Sequence, residues 1–159
     1  MSNVLTPQDM LKFTKNLEQE MIKAKKMTVA VGITADSATS KVYDSGATVL
    51  QVASWHEFGR GNNPIRSFLR IPFDIKSKEI NNFIEKQFSE VLEGKKDTEK
   101  ALGLIGAFAT NISKGAFTTM GYGTWAPLDP DTVDAKGSST PLIDTGILRR
   151  AVNFEVRKK

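Results

Sequence analysis

The chain has no cysteine and a single histidine, His56, in 159 residues. The first absence excludes a disulfide framework, a thiolate nucleophile and a zinc–thiolate centre. The second excludes a histidine-rich metal site within one chain. His56-Glu57 is also not a zincin signature, because the position four residues on is Arg60. No GxSxG elbow exists to expose a nucleophilic serine. Neither "GRGNNP" nor "GYG" has the GxxxxGK[ST] spacing of a phosphate loop. Asp and Glu total 18, yet no pair stands out by context as the two carboxylates of a glycosidase. No apolar run approaches the length of a membrane span, and "MSNVLTPQDM" lacks the basic start and apolar core of a secretory leader. The expectation is a protein that is not an enzyme, holds no cofactor or metal, and has no membrane partner.

What is present reads as one globular domain over residues 1–159. Hydrophobic residues make up 40% and charged residues 25%, enough to build a core at this length. The net charge of +4 permits contact with nucleic acid without demonstrating it. "TPQD" starts a helix over residues 6–26, with Thr6 as cap and Pro7 in the first turn. Met10, Phe13, Leu17, Met21 and Ala24 form its apolar face. "MTVAVGI" alternates large and small residues as a strand. After a polar stretch over residues 34–46, a second helix is expected to begin near Asp44 or Ser45 and to stop at Gly59. "IRSFLRIPF" reads as semi-extended, with Pro72 opposing a helix. A third helix follows with Ile80, Ile84, Phe88, Val91 and Leu92 inward. Asp97 caps a fourth, whose Gly103 and Gly106 mark close backbone approaches. "TTMGYGTWAPL" reads as a glycine-rich loop. Asp129 caps a short helix that ends at Gly137, and "SSTPLIDTGILRR" reads as a linker. The tail "AVNFEVRKK" is a strand with Val152, Phe154 and Val156 inward. Strands early and late with helices between give an α+β fold, a small, mostly antiparallel sheet packed against several helices.

The stretch "WHEFGRG" is the one that resembles an active site. On a helix, His56 aligns with Val49, Val52 and Ala53, which places it on the apolar face. It is expected to be packed, and to be hydrogen-bonded to backbone or to a polar group near Arg66 or Asp144. Arg60, Arg66 and Arg70, with Phe68 nearby, form a basic patch suited to a partner or a phosphate, or are ordinary surface arginines.

In order, the chain presents a "VAVGI" strand, a helix closing in "HEFG", an "IRSFLR" segment and two long helices. "WAPL" then precedes a short "D-x-x-T-x-x-x-K" turn, and "PLIDTGILRRAV" leads into the last strand. This order and spacing, from about Val29 to Val156, resembles the tailed-bacteriophage neck and tail-completion proteins, the virion-morphogenesis group. Ser67 stands where that family often has proline. The resemblance implies a virion structural protein of the head–tail interface, made in the host cytoplasm and ending in the neck. Its partners would be connector, tail-terminator or tube proteins, and copies of itself in a ring, hexameric or matching its neighbours. Arg60, Arg66, Arg70 and Trp125 would contact partners, Trp125 being open to a core role as well. His56, Glu57, Gly59, Phe68, Leu128, Asp144, Gly146 and Leu148 would be structural, with Phe58, Phe68, Trp125 and Leu148 closing the core around the helix end. The isolated chain would be monomeric or weakly associated, since no large apolar patch is evident. A basic nucleic-acid-binding module, in weak contact with genomic DNA, is the alternative.

Overall fold

The structure, a computed structural model, describes residues 6–34, 43, 45–60, 63–136, 141–142 and 146–159. In chain order the elements are α1 (Pro7–Lys26), β1 (Met27–Ile33), α2 (Val49–Phe58), α3 (Arg70–Ile75), α4 (Ser77–Leu92), α5 (Thr98–Ala116), α6 (Pro130–Lys136), α7 (Ile147–Ala151) and β2 (Val152–Lys158). The fold is α+β, with a two-stranded antiparallel sheet packed against helices among the described residues. β2 pairs with β1 itself: Val29 faces Val156, Val31 faces Phe154 and Ile33 faces Val152. The large residues of both strands therefore share one face, and α5 lies against it. The ring of Phe154 occupies the space a side chain at Gly106 would fill. Gly106 is thus a close approach, but of an aromatic side chain and not of the backbone expected there, and the space beside Gly103 is open.

α1 begins with the expected capping box. The Thr6 hydroxyl accepts from the Asp9 amide and the Asp9 carboxylate accepts from the Thr6 amide. Its apolar face is less covered than its periodicity suggests. Leu17 and Ala24 are half-buried, but Met10 is 59% exposed, Phe13 and Met21 are also exposed, and no residue of α1 is buried. A second helix supports its far end: the Thr98 amide donates to the Glu20 carboxylate at 2.6 Å, and the Thr98 hydroxyl donates to the Glu20 carbonyl at 3.0 Å.

Several boundaries differ from the sequence expectation for local physical reasons. α2 starts at Val49, not near Asp44 or Ser45, because Thr48 and Gln51 form a reciprocal capping box that fixes the first turn there. Pro72 does not block a helix. It is the third residue of α3, in the first turn, where the missing amide had no intrahelical partner to lose. The expected single third helix is therefore two, broken at Lys76. "TTMGYG" contains a left-handed turn: Met120, Gly121, Tyr122 and Gly123 all have positive φ, from 51° to 85°. "ILRRA" is the short helix α7 and not linker. The stop at Gly137, Asp144 and most of the polar stretch 34–46 lie outside the described residues.

The core sits where α2, α5, α7 and the start of β2 meet. Val49, Ala53, Phe68, Ala116, Phe117, Trp125, Leu148 and Val152 pack together there. Phe117 joins two aromatic neighbours, with its ring centroid 5.3 Å from Phe68 and 5.8 Å, edge-on, from Trp125. Phe58, expected in this core, is 60% exposed instead. Leu92 also faces outward, and Phe83, absent from the expected inner face, stacks on Phe108 at 4.2 Å.

Candidate functional site

The motif "HEFG" ends α2, and Gly59 leaves it with φ of 79°, a left-handed value that glycine reaches without strain. Directly before it, Glu57 is 4% exposed. Its carboxylate faces the start of α3. One oxygen accepts from the amides of Phe68 and Leu69 at 2.9 and 3.1 Å. The other accepts from the Arg70 amide, the Arg70 Nε and the Ser67 hydroxyl at 2.7–3.0 Å. Arg70 also donates to the Glu57 carbonyl at 2.7 Å. The unpaired amides at the head of α3, together with the positive end of its dipole, thus receive a carboxylate supplied by another helix. A buried carboxylate in water-poor surroundings needs this many donors to offset its desolvation.

Each residue of "RSFLR" has a structural duty. The Ser67 hydroxyl, fully buried, donates to Glu57 and accepts from the Ile71 amide at 3.0 Å. A proline at this position would keep neither bond. The Ser67 carbonyl accepts from Trp125 Nε1 at 2.9 Å, and the Phe68 carbonyl accepts from the buried Ser113 hydroxyl at 2.7 Å. Arg66 is 7% exposed, and its guanidinium donates to the carbonyls of Ala126 and Pro127 at 3.3–3.4 Å. Trp125 is 5% exposed. Two of the four residues expected to meet partners, Arg66 and Trp125, are therefore interior residues that tie the 125–127 segment to the hub. The long sequence separation of these bonds is why the motif could not disclose them.

His56 is half-buried and lines two cavities, one with Tyr43, Val52 and Leu142 and the other with Arg66 and Leu128. Its carbonyl accepts from the Arg66 amide at 2.8 Å. The expected hydrogen bond from its ring is missing on one side: Nδ1 is buried without a partner. Burial first, then the Arg66 charge, pushes its pKa down from 6.5 to about 4, so the ring is neutral near pH 7. The neighbouring carboxylate, Glu57, is turned away and saturated, and the nearest hydroxyl in the motif, Ser67, is sealed off. The Glu57 carboxylate and the Ser67 hydroxyl are thus engaged in structural bonds. Among the described residues, no group of three or more His, Cys, Asp or Glu side chains could hold a metal ion, and no helix is long and apolar enough to cross a membrane.

The exposed features lie around this rigid hub. The Arg70 guanidinium lies 4.5 Å from the centre of the Phe58 ring, and Arg60 lies at the same distance over Trp55. Phe58 and Leu50 line an apolar groove with Ile33, Leu69 and Arg70. Ile65, also exposed, packs by Gly59. This surface departs from the expectation that no apolar patch would be evident: Leu50 and Phe58, eight residues apart, fall on the same outward side of α2. Gly146 opens α7 with φ of 69°, and Leu148 is buried in the core. Leu128 is half-buried. No family model, no curated protein and no solved structure matches the chain.

Proposed function

We propose that the chain is a structural protein of a tailed-phage virion, one that completes the neck or tail and joins tail to head by protein–protein contact. The phage assignment rests on the order of sequence motifs from Val29 to Val156. The joining role is supported by one feature above all: an apolar groove bordered by the stacked Arg70–Phe58 pair and mounted on a hub whose buried Glu57 carboxylate accepts from three backbone amides. Arginine and aromatic residues are enriched where interfaces are strongest, and a pre-set surface loses little entropy on docking. Arg60 and Arg70 remain partner-contact residues in this reading, joined by Leu50 and Phe58. Copies of the chain would meet in a ring matched to its neighbours.

Deleting the gene should leave filled heads and finished or uncapped tails that do not join. The double substitution Leu50→Asp and Phe58→Asp alters only exposed side chains, so the protein should fold normally yet reproduce that phenotype in complementation. Joined, infectious particles in either experiment would overturn the role.

A further inference from the structure

α1 carries a second surface, distinct from the groove. Lys12, Lys15, Lys23 and Lys26 are all exposed. At the α-helical repeat they fall within an arc of about 80° and run about 21 Å along the helix. The polar residues interleaved with them, Asn16 and Gln19, are amides. Of the nearby carboxylates, Glu18 lies outside the arc, Glu20 is turned to Thr98 while touching Lys23 at 2.8 Å on the stripe's edge, and Asp97 and Glu99 also act on Lys23. The opposite face of the helix is the one held against the body, where Phe13 meets Gly94 and Leu17 and Ala24 are half-buried. Lys12, Lys15 and Lys26 therefore point outward, while Lys23, at the stripe's edge, borders a groove with Val91, Gly94 and Asp97. The fold then extends the stripe: the Lys159 amide donates to the Lys26 carbonyl at 2.8 Å, and Lys158 sits opposite Met27 in the sheet. The C-terminal cations thus gather at the end of the lysine row.

We infer that this stripe is a sequence-independent contact for the phosphates of duplex DNA. Among the described residues no carboxylate pairs with Lys12, Lys15 or Lys26, and a row of such cations fits a ligand whose negative charge repeats at short intervals. α1 stands on the body with no buried residue, so its outer side can lie along a duplex without obstruction. The interleaved amides can donate to phosphate oxygens as well. This contact does not depend on the groove or on the joining role.

The test is anisotropy of a labelled 30-base-pair duplex titrated with the full chain between about 50 and 200 mM salt, the range in which phosphate contacts change affinity steeply. The wild-type log–log slope should be about −4, as four to five phosphate contacts require. The variant K12Q/K15Q/K26Q should lose about three from that slope and at least about tenfold in affinity at the lowest salt. The variant K78Q/K86Q/R149Q, equal in net charge, should bind like wild type. Lysine acetylation of the unmutated protein, read by mass spectrometry, should show Lys12, Lys15 and Lys26 protected by the duplex, which removes any dependence on how the variants fold. The inference is overturned if wild type fails to bind at the lowest salt, if the control variant weakens as much as the stripe variant, or if the duplex protects none of the three lysines. It is also overturned if the stripe mediates only self-association, seen in sedimentation and lost in the stripe variant, without DNA binding. A protein that binds DNA in this way but whose deletion leaves particles joined would sink the joining role and leave this contact standing.

Discussion

Glu57 does at residue scale what a capping serine usually does from within its own helix. It satisfies three amides of residues 68–70 together with two side-chain donors. Removing it strands those donors in the interior. Glu57→Ala should lower stability by about 3–5 kcal/mol, the range for breaking a buried charged network, read as a shift of the urea midpoint. Glu57→Gln, which keeps one carbonyl oxygen, should cost less. A midpoint unchanged in the alanine variant would show that the network contributes nothing. His56 makes a pH-dependent contribution of the opposite kind. Its folded pKa of about 4 lies below the ordinary 6.5, so the unfolded chain binds the proton more readily between those values. Stability from this group is present above pH 6.5 and is lost as pH falls towards 4. The loss should be about 1–2 kcal/mol, reduced from the full linkage value because solvent reaches part of the ring. His56→Gln should abolish that component, and parallel pH–stability curves for the two proteins would refute it.

At the scale of elements, the readable boundaries were those with their signal close by. Thr6-Pro7-x-Asp9 marked the start of α1, Asp97 capped α5, and Val152, Phe154 and Val156 alternated as a strand should. The misread boundaries have their cause elsewhere in the chain. α3 begins at Arg70 because a carboxylate thirteen positions earlier receives its first amides, and no local pattern announces that. Thr98 is likewise met by Glu20 from a distant helix. Burial on α1 was overstated because periodicity reports a face without reporting what covers it. For the candidate site, the grouping of Glu57 with "RSFLR" was visible only as proximity in sequence, and the interior positions of Arg66 and Trp125 depend on bonds spanning some sixty residues. The crowding at Gly106 was legible because a glycine inside a helix needs a reason, although the same signal at Gly103 marks open space. Gly106→Ala should destabilise by about 1–3 kcal/mol as an overpacked contact with Phe154. Phe154→Leu in the same chain should recover part of that loss. A double-mutant cycle with no coupling between the two would contradict the packing described.

For the whole molecule, the two outward surfaces are chemically unlike: an apolar, arginine-rimmed groove beside α2 and a lysine stripe on α1. The hub that supports the groove has a consequence for motion. Between residues 64 and 69 the chain has no regular secondary structure, and such segments ordinarily open locally with little cost. Here the amides of Arg66, Phe68, Leu69, Arg70 and Ile71 all donate to acceptors, drawn from three separate residues: the His56 carbonyl, the Glu57 carboxylate and the Ser67 hydroxyl. None can be released without breaking the junction of α2 and α3. In hydrogen–deuterium exchange these five amides should therefore persist as long as those in the middle of α5 and exchange only with global unfolding. Exchange within seconds would mean that the segment opens alone. If they do persist, the irregular stretch is among the last parts of the protein to let solvent in, and the surface it carries keeps its shape until the whole fold is lost.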